Sequence, residues 1–359
     1  MHNQQKTFLF ITLINFTNKY MKNNEFYELV KKRMWYDVGN AIIENATNGD
    51  FIKVFFENIN KIHHSTIADV TMKIIDSNKN DNNLLLTNAL EVIDLSDLDK
   101  SKNSQTRILI SYALYLIKNN KLDNIEVQLF EFMKNKKLKR ETHVLLSYLA
   151  FRLYEKMENW DNCVSFALKF IKDRKNIKSN FIVNTEIDIN DVFIYAVVSN
   201  NFFDFTQLLN LEEAKSEKTN KELVNFLKNM INGNLARSNK FEIPKVIETK
   251  FNGIYNFIKE KVFLIEIVNV CHAHIQKREV SFKVLIESLN LKDINSLIYL
   301  LIKALGMELV CGWIDSENEM FYFDKLMTKE LNESELEALK NTFVELRDKV
   351  RKTVEMLKL

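Results

Sequence analysis

The sequence predicts a mainly α protein: a helical-repeat, solenoid-like array, then a small winged-helix module, then a long C-terminal helix. Three observations carry this. Only 6 Gly and 1 Pro occur in 359 residues, where average usage gives roughly 25 and about 18. Apolar residues recur at helical spacing from about Thr106 to Arg174. A strand, helix, helix, strand, strand order then follows Arg278.

The array rests on four successive segments. Ile110, Ala113, Leu114 and Ile117 mark the first, and Asn119-Asn120-Lys121 breaks it. Ile125, Leu129, Phe132 and Met133 mark the second, and Leu145, Tyr148, Leu149 and Leu153 the third. Val164, Ala167, Leu168 and Ile171 mark the fourth, with Asp161 placed to cap its first turn. Helical pairs of this kind bury their apolar faces by stacking on neighbours. Upstream, Phe51–Ile62 reads as helix, and the Asn/Asp/Lys-rich stretch from Asp76 to Asn83 as a surface loop.

After Pro244, the run Phe251–His274 is apolar nearly all round and is expected inside the fold. Glu279-Val280 reads as a short strand, and Ser281 as the cap of a helix over Phe282–Leu289. Asp293 caps a second helix over Ile294–Leu305, and Gly306 stops it in a conformation of positive φ. Leu309–Ile314 and Met320–Phe323 form a hairpin around Asp315-Ser316-Glu317-Asn318. The last helix, Glu333–Leu357, opens with Asn332 and Glu335 at capping-box spacing. Leu336, Leu339, Phe343, Leu346, Val350 and Leu357 then form a heptad seam, which meets either this chain's own surface or another chain.

Fifty basic residues face 48 acidic ones, so a net charge of +2 supplies no broad field for nucleic acid or anionic lipid. Three scattered cysteines, Cys163, Cys271 and Cys311, fit a reducing compartment and give no disulfide framework. The apolar run Phe8–Phe16 lacks a cleavage site and is read as no secretory signal; the native start is expected at Met21. No stretch approaches the ~18 apolar residues of a membrane span.

No glycine-rich phosphate loop, HExxH pair, nucleophile elbow or CxxC pair occurs. His63-His64 are read as surface residues. His272 and His274 diverge by about 200° on a helix and cannot converge on one ion without unwinding it. The helix Ile294–Leu305 carries Lys303 as its only charge and is read as core, and the wing carries Asp315, Glu317 and Glu319, which repel phosphates. The expectation is no catalytic residue, no cofactor, no metal and no sequence-specific nucleic-acid contact.

A winged helix closing a helical array and followed by a long helix is similar to the PCI family, shared by the proteasome lid, the COP9 signalosome and translation initiation factor three. Asn201, Phe203, Phe205, Leu208, Leu209 and Leu211 follow N-x-F-x-F-x-x-L-L-x-L, which resembles the m-type subunits of the initiation factor. Glu279-Val280-Ser281-Phe282 resembles the E-I-S-F opening of their winged helix, and Val310 with Ile314-Asp315 matches their wing. Cys311, Gly312, Trp313 and the acidic segment Asp315–Glu319 depart from that pattern.

The resemblance implies an extension over 1–20, a helical array over 21–175, a PCI module over 176–326 (helical part 176–277, winged helix 278–326) and a bundle helix over 327–359. It implies a non-catalytic, cytoplasmic scaffold subunit of initiation factor three, supporting 43S pre-initiation complex assembly and mRNA recruitment. The alternative is a scaffold subunit of the proteasome regulatory lid or the COP9 signalosome. Expected partners are the large PCI subunit a, the MPN subunits f and h, and, through the complex, the small ribosomal subunit. Contacts are expected through strand-edge pairing along Met320–Phe323, with Met320 and Tyr322 at the interface, and through the heptad seam.

Overall fold

Scarce glycine and proline leave long runs of backbone free to form helix, and helices dominate the computed structural model. The structure describes residues 25–44, 49–77, 98–135, 137–177, 187–238, 241–328 and 333–357. The run Phe8–Phe16, the expected start at Met21, most of the 76–83 loop and Asn332 of the capping box lie outside them. The chain divides into two compact units: Met1–Glu158 with Lys169–Glu186, and Asn159–Leu168 with Ile187–Leu359.

In the first unit a helical stretch over 25–31 precedes α1 (Trp35–Glu44), α2 (Gly49–Glu57), α3 (His64–Ser77), α4 (Leu98–Lys118), α5 (Ile125–Lys134) and α6 (Arg140–Lys156). The expected helix over Phe51–Ile62 is split. Asn58 folds back to donate to the Val54 carbonyl at 3.0 Å, and a 3-10 turn over Ile59–Lys61 follows α2. Packing runs α1 on α3, α3 on α4, and α4 and α5 on α6. Phe26 stacks on Phe51 with centroids 3.8 Å apart, beside the buried Phe55, Ile67 and Val70. Each such side chain contributes about 1.5–3 kcal/mol on leaving water.

The expected apolar positions Ile110, Ala113, Ile117, Ile125, Leu129, Leu145, Tyr148, Leu149 and Leu153 are buried, and Asn120 makes the turn after α4 at φ 57°. Two polar contacts tie the helices together. Asn103 Oδ1 accepts from Thr142 Oγ1 at 2.7 Å and from the Lys139 amide at 3.2 Å, and Arg107 pairs with Asp69. Burial raises the Asp69 carboxyl, and Arg107 opposes that rise.

The helix α7 (Trp160–Arg174) has residues in both units. In the second unit follow α8 (Ile189–Val198), α9 (Phe205–Leu209), α10 (Lys221–Ile231), α11 (Asn234–Arg237), α12 (Lys245–Lys250) and α13 (Tyr255–Ala273). Then come β1 (Glu279–Ser281), α14 (Phe282–Leu289), α15 (Ile294–Gly306), β2 (Val310–Asp315), β3 (Met320–Leu326) and α16 (Glu333–Leu357). The strand, helix, helix, strand, strand order is the expected one. As expected, α13 is buried nearly all round, and α10, α11, α14 and α15 pack on it.

Several local expectations are corrected. Asn159, not Asp161, caps α7 by accepting from the Asn162 amide at 3.2 Å; Asp161 instead accepts from the Asn201 amide at 2.7 Å. Ser281 stands at the start of α14 but makes no side-chain capping bond; the Phe282 amide is satisfied by the Glu319 carbonyl at 2.8 Å. Asp293 does cap α15, accepting from the Ser296 amide at 2.8 Å. Gly306 remains helical, and the chain reverses at Glu308 with φ 55°. Helix α15 is core on one face only: Leu297, Leu300, Leu301 and Ala304 are buried, whereas Tyr299 and Ile302 are each 58% exposed.

The sheet is antiparallel in the order β1–β3–β2. Phe321 pairs with Val280 on one side and Ile314 on the other, and Tyr322 with Glu279 and Trp313. The hairpin is held by Asp315, whose carboxylate accepts from the Glu317 and Asn318 amides at 3.1 and 3.0 Å. These bonds lower the Asp315 carboxyl below its ordinary value, the Asn318 side chain being the largest cause. A bulge falls between Cys311 and Gly312, where a Cβ on Gly312 would overlap the Tyr322 carbonyl oxygen.

Candidate interaction surface

Helix α16 carries the heptad seam, and every described side chain on it is exposed. Leu336 is 52% exposed, Leu339 42%, Phe343 61%, Leu346 56% and Val350 55%. The other described residues therefore leave the seam uncovered. The side chain of Leu357 lies outside those described. Three apolar residues outside the seam expected from sequence, Val344, Val354 and Met356, are also exposed and widen the stripe. Their signal was present as apolar residues beside the heptad positions in an otherwise charged helix.

The strand-edge expectation is corrected by the sheet order. Met320 and Tyr322 lie on β3, the central strand, whose backbone pairs with β1 on one side and β2 on the other. Over Met320–Phe323 no main-chain row is left for another subunit, whereas Lys325 and Leu326 pair with β2 alone among the described strands. Among the described residues, the outer edges of β2 and β1 have no strand partner in this sheet. Met320 and Tyr322 are half-buried, so they contribute side chains to the sheet face instead.

Beneath these surfaces lie two buried charges that the sequence pattern did not single out. Lys261 is 2% exposed on α13, and its ammonium donates to the carbonyls of Ser199, Ala196 and Val197 at 2.6, 2.8 and 3.3 Å. Those carbonyls end α8 and have no helical partners of their own. The rings of Phe203 and Phe205 lie 5.1 and 5.3 Å from the same nitrogen. Burial depresses the Lys261 ammonium to about 7, partly opposed by Asp161. The N-x-F-x-F segment thus gains a physical account: Asn201 fixes Asp161, and the two phenylalanines wall the lysine.

Glu266, fully buried further along α13, accepts from Arg237 Nη2 at 2.7 Å and Nε at 3.1 Å, and from Asn269 Nδ2 at 3.3 Å. Gly233, at φ 70°, makes room for it: a Cβ there would overlap Glu266 Oε2. Both buried charges are engaged in holding helices together.

His63 is exposed and His64 half-buried, the latter's imidazole lowered by burial and by His63. His274 Nδ1 lies 2.9 Å from the Val270 carbonyl. Among the described residues, no three His, Cys, Asp or Glu side chains are grouped to hold a metal, and no helix is long and apolar enough to cross a membrane. Cys163 and Cys271 are buried and Cys311 is exposed. Comparisons with protein-family models and with curated proteins return no match.

Proposed function

We propose that the chain is a non-catalytic scaffold subunit of a large protein assembly, built as a helical repeat array ending in a PCI-type winged helix. Within that class, the reading we favour is subunit m of eukaryotic translation initiation factor three, supporting 43S assembly and mRNA recruitment from the cytoplasm. The observation that carries the scaffold reading is α16. A 25-residue helix presents a heptad stripe that is exposed among the described residues, the arrangement of a helix that finishes its packing in a bundle with others.

The choice of complex rests on sequence resemblance: the Asn201–Leu211 segment and the E-V-S-F opening of the module. The partners are the PCI subunit a and the MPN subunits f and h, with contact to the small ribosomal subunit through the complex. The corrected sheet order moves the expected strand addition from β3 to an outer edge, β2 or β1. Affinity purification of the tagged full chain followed by gradient sedimentation tests this. Co-migration with small ribosomal subunits supports it; co-migration with assembled proteasomes assigns the chain to the lid instead, and a free monomer refutes both.

A further inference from the structure

The outer face of the sheet has a composition unlike the rest of the module. Directly opposed residues in antiparallel strands share a face, so the register sets Trp313, Tyr322 and Glu279 in one row and Asp315, Met320 and Ser281 in the next. Phe321 and Phe323 point the other way, into the core. On the outer face Trp313 stacks on Tyr322 with centroids 5.2 Å apart and planes 17° apart, yet remains 53% exposed. Its indole is therefore held in place from one side and accessible from the other.

Carboxylates outnumber cations around this platform, although the register places Lys325, opposite Cys311, on the same face. From Ala304 to Asp324 the chain carries Glu308, Asp315, Glu317, Glu319 and Asp324 and no Lys or Arg, and Glu279 adds a carboxylate in the aromatic row itself. A flat aromatic ring rimmed by carboxylates attracts a cation with an apolar face and repels phosphate. Guanidinium fits better than ammonium because it is planar, weakly hydrated and able to stack while its N–H groups reach carboxylates.

We infer that this face is a docking surface for an extended arginine-bearing segment of a partner polypeptide, one guanidinium stacking on Trp313 and its neighbours pairing with Glu279 and the acidic hairpin. The surface is separate from the α16 stripe and does not depend on which assembly the chain enters. Extended peptide matches the two rows, because alternate side chains on one strand are spaced about 7 Å apart, as are the rows.

The test uses the purified full chain and a fluorescein-labelled peptide of about ten residues alternating Arg and Ser, with Lys/Ser and Glu/Ser peptides and a labelled oligouridylate as comparisons. Fluorescence anisotropy is expected to rank Arg above Lys and to show no binding of the Glu peptide or of the oligouridylate. Trp313→Ala is expected to weaken the Arg peptide about tenfold. The double variant Glu279→Gln, Asp324→Asn is expected to weaken it by a similar factor and to flatten its salt dependence. The double variant exchanges the half-buried Glu279 and the exposed Asp324 for amides of the same shape and leaves the hairpin bonds of Asp315 in place, so the test survives if Trp313→Ala misfolds. Unchanged affinity in the variants, no Arg-peptide binding up to about 1 mM, or Trp313-dependent binding of the oligouridylate overturns the inference.

Discussion

Replacing Lys261 with Met removes a charge while keeping an unbranched side chain of similar length, and its effect is expected to change with pH. The ammonium ordinarily titrates at 10.5 and is depressed to about 7 in the fold, first by burial. Between those values the unfolded chain holds a proton that the folded chain has released, so the wild type gains stability as pH rises and loses it as pH falls towards 7. Each pH unit crossed between the two values is worth about 1.4 kcal/mol, so the gain between about pH 6 and about pH 9.5 is on the order of 3 kcal/mol. The Met variant lacks this dependence but leaves the carbonyls of Ala196, Val197 and Ser199 without their donor, a cost of about 2–4 kcal/mol at any pH.

The variant is therefore expected to be clearly less stable than wild type at about pH 9.5 and nearly level with it at about pH 6. Urea unfolding followed by the fluorescence of Trp160 reads this locally, because that indole stacks on Tyr195 of α8 at 4.8 Å. The other two tryptophans, Trp35 and Trp313, are changed to Phe in both proteins. Taking the difference between the two proteins removes the titration of every other group. A difference that stays constant across this pH range would refute the account of Lys261.

Three further outcomes are expected. Gly233→Ala places a methyl against Glu266 Oε2 at a backbone of positive φ, and should lower stability by about 2–4 kcal/mol, read as a fall in the melting temperature. Leu339→Asp with Phe343→Asp, both exposed, should leave the melting temperature within about 2 °C of wild type while abolishing capture of partner subunits. In the folded protein a thiol reagent should modify Cys311 quickly and Cys163 and Cys271 only after unfolding, since the first is exposed and burial pushes the Cys271 thiol up to about 12.

The sequence made the helical architecture legible where periodicity was strong and local. The four segments from Ile110 to Ile171 became α4 to α7, with their expected positions buried or half-buried. Asp293 was readable as a cap because its partner, the Ser296 amide, lies three residues away. What was not legible depended on residues distant in the chain. Asp161 gave up capping to reach Asn201, forty residues on. The central place of β3 follows from its pairing with the three-residue β1, a strand too short for its pairing to be read from pattern.

The heptad seam was legible, but whether it was covered was not, because an amphipathic stripe looks the same before and after it meets a partner. Lys261 and Glu266 were hidden by their own helix. Lys261 closes the charged run Lys259-Glu260-Lys261 and reads as helix surface, Glu266 stands alone among apolar residues and reads as an interruption, and only the fold shows which carbonyls or guanidinium they meet. A signal did exist: both charges are followed by apolar residues four positions on, so neither can turn to water without burying its neighbours less well.

The central claim is that the stripe on α16 is a contact with other polypeptides. A photo-crosslinking amino acid placed at Phe343 in the full chain, activated inside cells, tests it at the residue itself. The account predicts covalent products with subunits of one large assembly, identified by mass spectrometry and suppressed by Leu339→Asp. A chain that stays uncrosslinked and migrates alone would contradict it.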